Sequence, residues 1–367
     1  MLEKGLVSRE VVPKNLVFTE NGLLPMRDVK VGMTLSHGKV SSKVERGKLL
    51  AIKIRTNGGF VLTGAKETHV IPVVRLVDEK YVVEFIYAKD CRMDDLLLLH
   101  FSEKWPKTQY GTVTESVARF LGYLVMGASK NKNKLQVTIE KNEFFESMYF
   151  DMLGKEAVWE NTGYKGYVLT PSDVEFFKEK GWDFFPESVQ HKRIPDCILQ
   201  SPRSVVIAFL QSAFSKFYDM RKGEGGKYLS FKSEGMGTQL QLLLLNLGVF
   251  SAKVLRKNKN RRGDFTYYLR VHNIFYKKFV REIYSEQETE KEKEKEFIPT
   301  VCVSKTKFFF PKFYQAWPPE IKELLSFGYY PVTINKIEDS FECDLADISI
   351  PDSNIYVADG FVHRAKS

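Results

Sequence analysis

The sequence predicts a multi-domain protein in which an all-β domain, assembled from both chain ends, is interrupted by an inserted α/β domain. Three observations predict it. A chain of 367 residues exceeds the length of one ordinary core. Both ends alternate apolar and polar residues as strands do, whereas the middle repeats apolar residues at helical spacing. We assign 10–103 and 329–367 to the β domain and 104–300 to the insert, and leave 301–328 as a connector of open assignment.

The composition fits a globular protein with a polyanionic partner. Hydrophobic residues make up 43% of the chain, and the net charge of +9 gives a positive field that favours nucleic acid. No apolar run reaches the roughly 18 residues of a membrane span, and Met1 to Arg9 lacks the apolar core of a signal peptide. We therefore expect an intracellular protein, nuclear in a eukaryote. The cysteines lack zinc-site spacing and are expected to be buried thiols: Cys91, Cys197, Cys302 and Cys343.

The N-terminal segment, from Leu16 to about Phe101, is predicted to be nearly all β. Its stretches LVFTENGLLPMRDVKVGMTL, LLAIKIRTNGGFVLTG and YVVEFIYAKD alternate apolar and polar residues. Asn21-Gly22 and Asn57-Gly58-Gly59 supply the positive φ of tight hairpin turns.

The middle segment is predicted to be mixed α/β. TESVARFLGYLVMGAS, VVIAFLQSAFSKF and GTQLQLLLLNLGVF repeat apolar residues at helical spacing, and Thr114 is a candidate N-cap of the first helix. The charge-alternating run at 286–296 is expected to be a solvated spacer, and the aromatic run KFFFPKFYQAW to be packed in a core or domain interface. From about Tyr329 the β pattern returns.

Both chain ends resemble the Hint fold of inteins. LVFTENGLLPMRDVKVGMTL resembles the first conserved intein stretch. LTGAKETHVIPV resembles the segment whose Thr and His assist the first acyl shift, in the form found in fungal vacuolar-ATPase inteins. CDLADISIPDSNIYVADGFVHR resembles the last two stretches, which end in His-Asn. The resemblance covers roughly the first hundred and last forty residues, and its specificity comes from the order and position of the motifs.

The insert resembles a LAGLIDADG homing endonuclease. ARFLGYLVMGAS and VVIAFLQSAF resemble the two motif helices, KRIPDCILQSP resembles the turn before the second helix, and LSFKSEGMGTQLQLLLLNLGVFSAKV resembles the elements after it. The resemblance implies two helices packed at a pseudo-twofold interface, with saddle-shaped sheets on double-stranded DNA. It also implies a monomer, because that symmetry is internal.

The resemblance implies that splicing is lost. The first intein position, where a Cys or Ser must attack the preceding carbonyl, falls on Glu10, and a carboxylate cannot run an acyl shift. His69 matches the histidine that assists this shift, and His363 matches the penultimate histidine. Arg364 occupies the position of the terminal Asn and has no amide nitrogen that can close a succinimide. We therefore expect both histidines to be vestigial.

The resemblance also implies that DNA cleavage is absent or very weak. The family places one carboxylate at the foot of each motif helix to hold divalent ions. The first position falls on Ala128, or on Gly127 if the register slips by one, and the second falls on Phe217. Asp219 is rotated by about 200° from the expected site on a helix. We expect no metal site and no cofactor, with Mg²⁺ required only if nuclease activity is retained.

A basic strand-loop-strand segment is the candidate DNA contact, since phosphate binding depends on a distributed basic surface. It lies where the resemblance places a DNA-facing strand, although a solvated basic loop is the simpler interpretation. The candidate residues are Lys253, Arg256, Lys257, Lys259, Arg261, Arg262 and Arg270, with Lys130 in a second turn.

Three functional hypotheses follow. The first is an intein-derived, homing-endonuclease-like DNA-binding protein that is inactive in splicing and cleavage. The alternative is an active endonuclease or self-splicing intein whose catalytic residues are misregistered or were mutated. The third is a protein-interaction scaffold, for which no sequence feature indicates a partner.

Overall fold

A computed structural model describes residues 11–101, 104–107, 113–131, 134–183, 191–215, 228–257, 265–271, 275–284, 318–351 and 353–365. These residues form three antiparallel sheets and eight α-helices. The protein is thus mixed α/β with large antiparallel sheets, and the assignment of the β domain to the Hint fold stays a prediction. Glu10, Phe217, the loop at 258–264, the charged run and the aromatic run lie outside the described residues.

The N-terminal segment forms strands, as its alternating pattern predicts. The hairpin between the first two strands turns at Gly22, whose φ of 91° is a conformation that residues with a Cβ rarely adopt. The strands are β1 (Leu16–Thr19), β2 (Gly22–Pro25), β3 (Thr34–Leu35), β4 (Gly38–Lys39), β5 (Ser42–Thr56), β6 (Val61–Ala65), β7 (Val70–Val77), β8 (Lys80–Tyr87) and β9 (Leu96–His100).

The middle segment opens with the predicted helix. Thr114 is its N-cap, and the Val117 amide donates to the Thr114 hydroxyl at 3.2 Å. The elements that follow are α1 (Glu115–Gly127), β10 (Ala128–Asn131), β11 (Lys134–Glu140), α2 (Glu143–Leu153), β12 (Trp159–Glu160), β13 (Tyr164–Leu169), α3 (Pro171–Glu179), α4 (Asp196–Leu199), α5 (Arg203–Ser215), β14 (Tyr228–Phe231), α6 (Glu234–Asn246), β15 (Ser251–Lys257), β16 (Phe265–Val271) and α7 (Tyr276–Tyr284).

The C-terminal elements return to the sheet of the N-terminal strands. They are α8 (Pro319–Ser326), β17 (Tyr329–Ser349), β18 (Ile355–Ala358) and β19 (Phe361–Arg364). Strand β17 pairs with β5 and β9, and β18 pairs with β1. The result is a twelve-stranded sheet of β1–β9 and β17–β19, which we call the β frame. Helix α8 packs on β8 and β17, so the described end of the connector contacts this frame.

The elements from α1 to α7, which we call the insert, repeat one succession. Its first half runs α1-β10-β11-α2-β12-β13-α3, and its second half, from α4 onward, runs α5-β14-α6-β15-β16-α7. Sheet order repeats as well, since β11-β13-β12 in the first half corresponds to β14-β16-β15 in the second. Strand β10 adds a fourth strand to the first sheet. The domain boundaries that we assign from the sequence remain predictions.

Candidate functional site

Two buried histidines meet inside the β frame. His69 lies between β6 and β7, His363 lies in β19, and the two side chains are 0% and 1% exposed. The Nε2 atom of His69 is 2.9 Å from Nδ1 of His363, and Nε2 of His363 is 3.1 Å from the Ala358 carbonyl oxygen. A carbonyl can only accept a hydrogen bond, so Nε2 of His363 carries a proton and its Nδ1 accepts one from His69. The Nδ1 atom of His69 is then left with a lone pair, and it has no hydrogen-bond partner among the described residues.

Burial keeps both rings neutral near physiological pH. It lowers the pKa of His69 well below the ordinary value of 6.5, and the neighbouring His363 lowers it further. The pKa of His363 falls to about 4, mainly by burial, although the bond to the Ala358 carbonyl opposes this shift. His69 is therefore neutral near physiological pH and is not an acid that donates a proton there.

Described residues next to the two predicted splice junctions lie near this histidine pair. Val11 makes isolated bridges to Ala346 and Gly64, and a Cβ on Gly64 would lie 2.6 Å from the His69 ring. At the other end Arg364 directly follows His363, and its guanidinium carbon is 5.4 Å from the centre of the Phe85 ring. The chain around both junction positions is thus close to the pair, while Glu10 itself is outside the described residues.

Helices α1 and α5 of the insert cross in backbone contact. A Cβ on Gly122 of α1 would lie 2.0 Å from the Ser212 hydroxyl and 2.5 Å from the Phe209 carbonyl oxygen of α5. The Ser212 hydroxyl donates to that same carbonyl at 2.9 Å, within its own helix. Small residues at this crossing therefore allow an approach that any larger residue at Gly122 would prevent.

The foot of α1 carries a buried cation. Ala128, which is 3% exposed, caps the helix and pairs with Val137 of β11. Lys192, 8% exposed, donates through its ammonium to the carbonyls of Val125 and Ala128, the first at 2.7 Å. A cation is favourable at a helix C-terminus, where the last carbonyls lack partners. Sequence reasoning missed Lys192, although it lies within the KRIPDC segment that drew the resemblance.

A small pocket opens beside this foot. Its volume is about 220 Å³, and it is lined by Tyr123, Met126, Gly127, Thr138, Ile139, Glu140, Lys141, Asn142, Ser212 and Ser215. Glu140 is the carboxylate in this lining, and Lys141 pairs with Glu160 at 2.5 Å. Across the described residues no group of three or more His, Cys, Asp or Glu side chains could hold a metal ion. The donor set here does not fit a divalent cation, which needs several hard oxygen ligands.

The second-half sheet presents a basic face away from its helices. Leu229, Leu269 and Val271 are buried on the inner face, at 0%, 1% and 2% exposure. Because side chains alternate along a strand, the opposite face, here called the open face, carries Ser230, Ala252, Val254, Arg256, Thr266, Tyr268 and Arg270. Lys232, which directly follows β14, joins this face through its hydrogen bond to Thr266. The guanidinium carbon of Arg256 is 5.1 Å from the centre of the Tyr268 ring, and the Lys232 ammonium donates to Thr266 at 2.9 Å. Sequence reasoning found Arg256 and Arg270 and missed Lys232.

Lys253 requires a correction. It is 7% exposed, and its ammonium donates to the Thr238 hydroxyl at 2.6 Å. Burial lowers its pKa to about 8, against the opposing charges of Glu234 and Asp359. Lys253 alternates with Val254 and so belongs to the inner face, between the sheet and α6. Its side chain therefore does not lie on the open face.

The other predicted DNA contacts are only partly described. Lys257 ends β15 opposite Phe265, and Lys130 lies in β10 opposite Leu135, but neither side chain is among those described. Lys259, Arg261 and Arg262 lie outside the described residues.

Among the side chains that the structure describes, the corresponding open face of the first-half sheet carries no Lys or Arg. Val137 and Ile139 of β11 are buried at 0% and 3% exposure, so Gln136, Thr138 and Glu140 lie on the opposite face. Ser129 of β10 pairs with Gln136 and extends that face. Gln136, Thr138 and Ser129 thus bring amide and hydroxyl groups to this face.

Comparison with known proteins finds solved structures that resemble about half of this chain. No family model and no curated protein matches the chain. Mesophilic variants of the homing endonuclease I-DmoI match at 18% identity and a TM-score of 0.31, over 47% of this chain and 93% of theirs. I-DmoI in complex with DNA and Ca matches at 17% identity and a TM-score of 0.32, over 47% and 91%. The homing endonuclease I-WcaI bound to its DNA recognition sequence matches at 16% identity and a TM-score of 0.31, over 50% and 88%.

These structural neighbours are homing endonucleases, and each match covers half of this chain or less. Among the helices of the described residues, none is long and apolar enough to cross a membrane.

Proposed function

We propose that this chain is an intein-derived, homing-endonuclease-like DNA-binding protein that neither splices nor cleaves DNA. The observation that carries the proposal is the open face of β14, β15 and β16, where Lys232, Arg256 and Arg270 lie with Tyr268. These cations match phosphates, and the hydroxyl and aromatic groups between them can contact sugars and base edges. Double-stranded DNA is the partner that this combination fits best.

Two further features support the resemblance to a homing endonuclease. The helices α1 and α5 cross at Gly122 and Ser212 with their backbones in contact. Each is followed by a sheet of the same strand order. This duplication supports an internal pseudo-twofold axis and therefore a monomer, since one chain supplies both halves of the DNA-binding surface.

The intein origin is supported by how the chain ends meet. Strands from both ends pair along β5 and β17, and His69 reaches His363 across 294 residues of sequence. The Hint resemblance places the splicing histidines at those two positions. A buried contact between these two histidines is expected if the chain inherited its β frame from a splicing protein.

Loss of splicing follows from the groups that adjoin this pair. By the resemblance, Glu10 and Arg364 replace the nucleophile and the cyclising Asn. Neither side chain can carry out the acyl shift or the succinimide closure. Arg364 instead contacts the Phe85 ring. The histidine pair therefore has no substrate on which to act.

Loss of cleavage follows from the helix feet. Ala128 and Gly127 bring no carboxylate to the foot of α1, and the Lys192 ammonium adds a buried positive charge there. A cation at this point repels the divalent ions that DNA hydrolysis would need. Phe217, the candidate position of the second carboxylate, lacks an oxygen ligand as well.

Selection from random duplexes tests the proposal. Purified protein is mixed with randomised DNA at two salt concentrations, and the retarded duplexes are amplified and sequenced. We expect enrichment of a long asymmetric site with affinity that falls steeply with salt. Absence of binding at both salt concentrations would contradict the proposal. We place the protein inside the cell, in the nucleus of a eukaryote, where such a site would be available.

A further inference from the structure

The β frame contacts the insert through three tight turns, and all three meet its second half. A Cβ on Gly22, in the β1–β2 turn, would lie 2.4 Å from the Leu199 carbonyl oxygen of α4. A Cβ on Gly360, in the β18–β19 turn, would lie 2.7 Å from Leu245 of α6. The third turn, between β5 and β6, contacts β15. The half of the insert that bears the basic face is thus the half that the frame holds.

The contact at β15 is the most direct of the three. The Lys253 amide donates to the Gly58 carbonyl at 2.9 Å, and the Gln241 side chain donates to the same carbonyl at 2.9 Å. A Cβ on Gly59, whose φ is 76°, would lie 2.2 Å from the Lys253 carbonyl oxygen. Strand β15 lies at the edge of its sheet, with β16 as its strand partner. The frame turn therefore binds the otherwise open edge of the hairpin that carries Arg256.

The turn itself is fixed to the frame. The Asn57 amide and side chain donate to the backbone and hydroxyl oxygens of Thr333 in β17, at 3.0 and 2.6 Å. Phe60 stacks on Phe250, just before β15, with ring centres 5.8 Å apart. Hydrogen bonds on one side and stacked rings on the other leave little freedom between the turn and the hairpin.

We propose that the β frame serves as a positioning platform for DNA binding: the turn of Asn57, Gly58, Gly59 and Phe60 holds the β15–β16 hairpin at a fixed angle to the DNA. This rests on the proposed function. Prior fixing of a binding surface raises affinity because less freedom is lost when the partner binds. The β frame would then have a function in DNA binding even without splicing chemistry. Gly59 would act as a positioning residue that does not contact the DNA itself.

The test compares Gly59→Ala with Gly47→Ala. Both glycines have left-handed backbones, with φ of 76° and 70°, so alanine strains both turns similarly. A Cβ on Gly47 meets no atom within 4 Å, whereas at Gly59 it meets the Lys253 carbonyl. The selected duplex is the DNA probe, and hydrogen exchange at the Lys253 amide reports docking of the turn.

We expect Gly59→Ala to weaken DNA binding about tenfold and to speed exchange at Lys253 at least tenfold, with Gly47→Ala within about twofold of wild type on both measures. Gln241→Met removes the side-chain donor to the carbonyls of Gly58 and Ser251 while keeping a similar shape. It should act in the same direction if Gly59→Ala fails to fold.

Two results would overturn the proposal in distinguishable ways. Faster exchange at Lys253 with unchanged DNA affinity and site preference would mean that docking exists but does not position the hairpin for DNA. A wild-type protein that binds no duplex, with the Lys253 amide still protected, would instead remove the proposed function while leaving the docking contact intact.

Discussion

The two halves of the insert share one strand order and differ in the surface they present. In the second half, Lys232, Arg256 and Arg270 lie on the open face; in the first half, Gln136 and Thr138 occupy the equivalent face. All three frame turns that contact the insert contact its second half. Two halves with the same strand order can therefore present different chemical groups on their open faces. On the proposed function, we expect the second half to supply most of the affinity for phosphates, because its described open face carries Lys232, Arg256 and Arg270.

A substitution at the crossing of α1 and α5 should destabilise both halves of the insert and give the largest change in the free energy of unfolding. Gly122→Ala would place a methyl group 2.0 Å from the Ser212 hydroxyl and 2.5 Å from the Phe209 carbonyl oxygen. The helices must separate, so we expect a loss of about 2 to 3 kcal/mol in the free energy of unfolding, measured by urea denaturation.

Gly235→Ala is the matched control for the helix crossing. Gly235 lies in the first turn of α6, and the nearest atom to its added Cβ is the Ser233 hydroxyl at 3.9 Å. We expect no loss there, since alanine is the better helix former by about 1 kcal/mol. An equal loss for both variants would contradict close packing at Gly122.

Acid should weaken the frame through its histidines. The pKa of His363 is about 4 in the folded protein, against an ordinary value of 6.5. Between these values the unfolded chain binds a proton that the folded chain does not, so stability falls as pH drops from 6.5 to 4, by about 2 kcal/mol. Asp359 acts oppositely, because burial raises its pKa to about 7. The measurement is therefore the difference between wild type and His363→Gln, whose stability should depend less on pH in that window.

This pH effect also sharpens the comparison of the two halves. Since the frame turns hold the second half, hydrogen exchange on acidification should rise in β15 before it rises in β11. Simultaneous exchange in both strands would argue that the frame does not favour the second half.

Charge removal on the open face should produce the smallest effect. Arg256→Gln and Arg270→Gln should each lower the affinity for the selected duplex about fivefold and reduce the slope of log affinity against log salt by about 1. In the first half, Lys141→Gln should leave that slope unchanged, because the Lys141 ammonium pairs with Glu160. Equal slope changes for variants in both halves would show that the phosphate contacts are shared.

Local elements of this fold could be predicted because their signals are local. Thr114 begins α1 as an N-cap, and Asn21-Gly22 forms the predicted hairpin turn, since a cap and a positive φ depend on a few neighbouring residues. The two histidines were found through their motif positions. Their 2.9 Å contact depends on pairing between distant strands, so it could not be predicted from their spacing along the chain.

The predictions that needed correction or addition concern burial. Lys253 belongs to a basic run in sequence, yet its position in β15 turns its side chain toward α6 and Thr238. Strand alternation separates it from Arg256, but which face is buried depends on how the helices pack. Lys192 was overlooked for the same reason, because its role at the foot of α1 depends on a tertiary contact 64 residues away in sequence.

The most direct test of the central claim follows the selected duplex in one sample containing wild-type protein and Mg²⁺. Complex formation is read on a native gel, and strand integrity is read on a denaturing gel. We predict a salt-sensitive complex in which both strands remain intact throughout. Mg²⁺-dependent breaks at a defined position would contradict the claim and would show that the carboxylates lie elsewhere in the insert.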